Sequence, residues 1–157
     1  MATDVLVLEL PGGDPAALLP HLVRLEDAQR GWVTILPGVR EETAPPPRTL
    51  VARLFTALGP QVPVCTWVAP QPRDKPPHVE IGILHATGPK AERRLAEAGH
   101  PVPERWVVLS DHSKRGLVVA VPPGTESAEV VTWLIAAATE LCYVPMTGTW
   151  RAEVHQP

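Results

Sequence analysis

The chain of 157 residues reads as an α+β protein in which an antiparallel or mixed sheet packs against helices. Three features carry that reading. Short β-branched runs recur along the whole chain, apolar residues at helical spacing separate several of them, and proline or glycine closes nearly every run. Proline makes up 20 of the 157 residues, about 13% against an ordinary share of about 5%. With 45% hydrophobic and 20% charged residues the chain can bury a core, so its prolines punctuate a folded domain.

Residues 4 to 10 alternate aliphatic with polar or aliphatic side chains and end at Pro11-Gly12-Gly13, the pattern of a buried strand. Asp14-Pro15 then offers a helix start, with Leu18, Leu22 and Leu25 on one face. Pro20 inside that stretch deletes a backbone donor, so the helix is kinked or starts later than Asp14. Trp32 to Leu36 is a strand closed by Pro37-Gly38, and Glu41 to Pro47 has no apolar period and reads as a surface loop. Leu50, Leu54 and Leu58, flanked by Val51 and Phe55 and stopped by Gly59-Pro60, predict a second helix.

Val62 to Ala69 and His78 to His85 are two further strands, suited to antiparallel pairing, joined by a stiff connector from Pro70 to Pro77. Thr87-Gly88-Pro89 opens a helix whose apolar face is Ala91, Leu95 and Ala98, with Gly99 as its stop. Trp106 to Ser110 and Leu117 to Val121 form a hairpin across the polar turn Asp111 to Gly116. Gly124-Thr125-Glu126 caps the longest helix, residues 126 to 142, and Thr147 to Val154 adds a last strand.

From residue 78 onward the element order is strand, helix, strand, strand, helix, strand, which is that of the ferredoxin-like split motif. The first 70 residues give the same order with one strand missing, so a degenerate tandem of two such halves is compatible with the pattern. The expected organisation is one domain over residues 1–157, with halves 1–70 and 77–157 about the proline connector.

The formal net charge of −3 supplies no basic footprint, which disfavours nucleic acid. A cationic leader and a membrane-length apolar run are both lacking, so the expectation is a soluble cytoplasmic protein without a membrane partner. The Ala-, Val-, Pro- and Arg-rich style suggests a bacterial genome of high GC content. Cys65 and Cys142 stand alone, and the six histidines (21, 78, 85, 100, 112 and 155) have no metal spacing. Neither a metal nor a cofactor is expected. Pro11-Gly12-Gly13-Asp14-Pro15 lacks the spacing of a phosphate loop and is explained as a tight turn.

Two groups of polar residues remain as weak ligand-binding candidates. His78 and Glu80 share one face of a strand, where they read first as a solvated pair and second as an imidazole with its base. Asp111, His112, Ser113, Lys114 and Arg115 form a hairpin turn whose cations could grip a carboxylate or phosphate. Asp, His and Ser in direct succession cannot converge as a catalytic triad. Of five tryptophans, Trp106 and Trp133 are expected in the core, while Trp67 and Trp150 could be buried or lie at an interface. The reading is therefore a non-catalytic ligand-binding or protein-interaction domain, with a homo-oligomer or protein partner. The alternative is a small hydrolase or transferase with its site between His78/Glu80 and the Asp111–Arg115 loop.

Overall fold

A computed structural model describes residues 3–40 and 59–157. Seven strands form one antiparallel sheet: β1 (Asp4–Pro11), β2 (Trp32–Val39), β3 (Val64–Val68), β4 (Val79–Leu84), β5 (Val107–His112), β6 (Gly116–Val121) and β7 (Met146–Gln156). Their spatial order is β1-β7-β2-β3-β4-β6-β5. Three helices complete the described residues: α1 (Leu19–Ala28), α2 (Ala91–Glu97) and α3 (Ser127–Glu140). The loop and helix expected between residues 41 and 58 lie outside the described residues.

Alternation along each strand sends every second side chain to the helix-covered face. Register aligns these into rows. One runs through Leu6, Val154, Val33, Trp67, Ile81, Val119 and Val108, and the next through Leu8, Ala152, Ile35, Cys65, Ile83 and Leu117. Most of these are fully buried, and together with Leu22 and Leu25 of α1, Leu95 of α2 and Val130, Leu134 and Ala138 of α3 they make one core. Helix α3 rests on β3, β4 and α1, while α2 rests on β6. Trp67, Trp106 and Trp150 are buried in it, and Trp133 packs edge-on against Trp106. Trp32 remains exposed on the opposite face, stacked on His155.

Pro20 is resolved as the sequence required. Helix α1 begins at Leu19, so Pro20 occupies the first turn, where no amide hydrogen bond is lost.

The ferredoxin-like arrangement does not form. In that motif β7 would lie beside β4; here β3 occupies that edge of β4 and β2 lies beyond it, so β7 inserts between β1 and β2. The connection through α3 therefore passes β4, β3 and β2. Its 14 helical residues span about 21 Å at 1.5 Å per residue. Four interstrand steps cover about 19 Å, so the helix is long enough for this wide crossover. Two split units result, β1-α1-β2 around β7 and β4-α2-β5 around β6. The first takes its middle strand from residues 146–156, so no tandem of self-contained halves exists and the sheet is continuous across the proline connector. No helix among the described residues is long and apolar enough to cross a membrane.

Candidate functional site

A cavity of about 120 Å³ lies on the helix side of the sheet, where β3, β4 and β6 meet the first turn of α3. Its walls include Glu26 of α1, Trp67 of β3, His78 ahead of β4, and Ser127 and Val130 of α3. Pro70, Pro77, Pro122 and Pro123 stiffen the rim. Locking φ in these connections removes entropy that an ordered wall would otherwise cost.

The polar groups of this cavity are incompletely paired. Trp67 is 0% exposed, yet its indole Nε1–H has no acceptor among the described residues. Burial alone explains the position, because Trp67 faces the core from β3 between Val33 and Ile81. The start of α3 adds further donors. Glu126 holds the N-cap position in an extended conformation without a side-chain cap, and the first intrahelical bond runs from Val130 N–H to the Glu126 carbonyl. The amides of Ser127, Ala128 and Glu129 thus have no acceptor within the helix. No side chain caps them, and the Thr125 hydroxyl instead donates to the Pro122 carbonyl at 2.8 Å.

Acceptors line the same cavity. The Ser127 hydroxyl donates to Glu26 Oε1 at 3.3 Å. Burial raises the Glu26 pKa above its usual value, the Ser127 hydrogen bond works against that rise, and Asp27 adds to it. His78 Nδ1 lies 3.0 Å from the Pro76 carbonyl. Only a protonated Nδ1 can bond a carbonyl, so in the neutral ring the lone pair is on Nε2. The cavity lining therefore combines an indole, the Ser127 end of α3, a carboxyl group and an imidazole.

Of the residues expected from sequence, only His78 lines this cavity. Glu80 is on the opposite, helix-free face, between Val68 and Ala120 in the register. The Asp111–Arg115 turn lies at the other end of the sheet: Val79 pairs with Val121, whereas Ile83 pairs with Leu117 beside the turn. Five residues of strand from position 78 to 83 span about 16 Å. The sheet thus does not bring His78 and Glu80 together with Asp111–Arg115.

Within that turn Asp111 has a structural task. Its carboxylate accepts from the Ala91 and Glu92 amides at 2.9 and 3.0 Å, capping α2 from a neighbouring strand. His112 Nδ1 accepts from the Lys114 amide at 3.0 Å, while Lys114 and Arg115 are exposed and Ser113 is half-buried. A second buried polar group, His85, accepts from the Thr87 amide and hydroxyl on Nδ1, so its Nε2, without a partner among the described residues, carries the proton.

Glu26, Trp67 and Ser127 escaped sequence reasoning. A lone Glu on an amphipathic helix carries no signal, and the indole's lack of a partner is a tertiary fact. The one legible sign was the helix start at Gly124-Thr125-Glu126 beside Pro122-Pro123. Larger hollows of about 450 and 370 Å³ are lined by neither of the two unpartnered buried atoms. Among the described residues no group of three or more His, Cys, Asp or Glu could hold a metal. Cys65 and Cys142 are free, and burial pushes the Cys65 thiol up and keeps it unreactive.

No family model, curated protein or solved structure matches the chain.

Proposed function

We propose that this protein is a non-catalytic binding domain that takes a small polar ligand in the cavity at the start of α3. The observation that carries this reading is Trp67, which lines the cavity and whose buried Nε1–H has no partner among the described residues. Leaving such a donor unsatisfied costs about 1–3 kcal/mol, and a ligand acceptor removes that cost. A dry cavity of about 150 Å³ accommodates a benzene ring. A volume of about 120 Å³ therefore suits a ligand of about five or six non-hydrogen atoms. It would present an acceptor to the indole and the α3 amides, and a donor to Glu26 or His78. Small amino acids, amino alcohols and primary amides have that combination.

The test is a thermal-shift and tryptophan-fluorescence titration with glycine, alanine, ethanolamine, acetamide and acetate. A ligand at one hundred times its dissociation constant stabilises the fold by about 2.7 kcal/mol, which raises Tm by about 5–10 °C for a chain of this size. Trp67→Phe keeps most of the ring but deletes the donor, and should weaken binding about tenfold. A flat response across the panel, or equal affinity in Trp67→Phe, refutes the proposal and leaves ordered water as the cavity's content.

A further inference from the structure

Among the described residues strand β1 is the outermost strand of the sheet on one side, and it lacks the usual protection of an edge. From Asp4 to Leu10 it has no lysine, no proline and no bulge, and its register with β7 runs unbroken from Asp4 to Pro11. Val5, Leu6 and Val7 are 51%, 41% and 53% exposed, on both faces of the strand. In an antiparallel ladder alternate residues turn their N–H and C=O groups away from the neighbour, so this edge presents a row of backbone groups beside apolar side chains. Natural edges are normally blunted against such pairing. The opposite edge, β5, shows that blunting: its register with β6 shifts between Val108 and Ser110, and its Asp111 is committed to α2.

We propose that β1 pairs antiparallel with β1 of a second copy of this chain, about a two-fold axis perpendicular to the sheet at Leu6. The segment is self-complementary, because its apolar centre is bounded by Asp4 and Glu9. Centred on Leu6, the pairing sets Leu6 against Leu6, Val5 against Val7 and Asp4 against Leu8. Glu9 then faces Thr3, so no carboxylate meets another. A parallel pairing would place Asp4 on Asp4 and Glu9 on Glu9, and like charges directly opposite are destabilising. Centring on Val7 would set Glu9 against Val5. A perpendicular two-fold keeps both helix layers on one side of a continuous sheet. The cavity at α3 lies beneath β3, β4 and β6, away from this edge, so the pairing is independent of ligand binding.

Sedimentation velocity over a micromolar concentration series should show a species of twice 17.0 kDa, and the Val5→Lys/Val7→Lys double variant should be monomeric with its cavity ligand response unchanged. Register is tested by Leu6→Cys in a Cys142→Ser background. Residues directly opposite in an antiparallel pair have Cα atoms about 4.5–5.5 Å apart, within reach of a disulfide. Mild oxidation should therefore cross-link Leu6→Cys much faster than the comparably exposed Val5→Cys control, which this register sets opposite Val7 and not opposite its own copy. A wild type monomeric throughout the series, a dimeric double lysine variant, or equal cross-linking at the two positions overturns the proposal.

Discussion

Replacing Asp111 by alanine separates a structural task from a binding one. Helix α2 cannot cap itself, because Lys90 precedes it in a left-handed conformation with φ of 69° and no side-chain cap. Asp111 substitutes from β5, twenty residues along the chain, accepting the Ala91 and Glu92 amides at 2.9 and 3.0 Å. A lost cap costs about 1 kcal/mol. The second, more exposed bond to the same carboxylate adds about 1 kcal/mol after allowance for water, so Asp111→Ala should destabilise by about 2 kcal/mol. Asp111→Asn keeps one good acceptor and should lose about half as much. Urea denaturation at neutral pH measures both, with an unchanged m-value expected, and Tm should fall by about 4–8 °C. The cavity's ligand response should persist, since the turn is at the far end of β4. A loss under about 0.5 kcal/mol would mean that these contacts do not hold α2; a lost ligand response would mean that the turn belongs to the site.

Other substitutions and conditions test other parts of the structure. A Cβ added at Gly116, where φ is +74°, would run into the Ile83 carbonyl, whereas Gly99, at φ +86°, has nothing within 4 Å. Gly99→Ala should therefore show only the left-handed backbone cost of about 1 kcal/mol, and Gly116→Ala about 1–3 kcal/mol more, compared by urea midpoints; equal losses would refute the close approach. Burial lowers the His85 pKa, with Asp111 opposing and Arg94 reinforcing the shift. The unfolded chain then binds the proton more readily, so His85's contribution is intact above its unfolded value of 6.5 and is lost as pH falls from there towards the folded value. Stability should decline on acidification below that point, with a shallower slope in His85→Gln; an identical slope would exclude His85 as the source. Glu26 has the opposite sign. Its raised pKa makes its contribution complete below the unfolded value of 4.5 and lost as pH rises through the folded one. Glu26→Gln should therefore gain stability relative to wild type between pH 4 and 7, read from chemical melts, and no relative gain would discount its burial.

Strand positions were legible because alternation is a local property. Val33 and Ile35 point inwards beside outward Thr34, and the breakers Pro11-Gly12 and Pro37-Gly38 lie where β1 and β2 end. Pro20 placed the start of α1 within a few residues. Strand adjacency was not legible, since the edge of β4 is open to either β3 or β7 and nothing local chooses between them. The short, stiff connector from β3 favours β3, and the length of α3 then permits β7 to travel past it. The site was legible only through His78, because a cavity depends on which helix end arrives over which strand. Glu80, two residues away, is held on the other face by the alternation of β4, whereas His78 precedes that strand and escapes its alternation.

The placement of β7 also governs the order in which the molecule can be assembled. Its neighbours β1 and β2 are both made early, yet they cannot touch each other and must wait for residues 146–156 to slide between them. Until that happens, four strand edges that end up paired, two of them on β7 itself, are open. Pairings of this sequence separation close large loops before any contact rewards them, which slows folding. During that interval the aliphatic run of β1 is bare on both of its edges, so a ribosome-bound or freshly released chain has its greatest need of a chaperone.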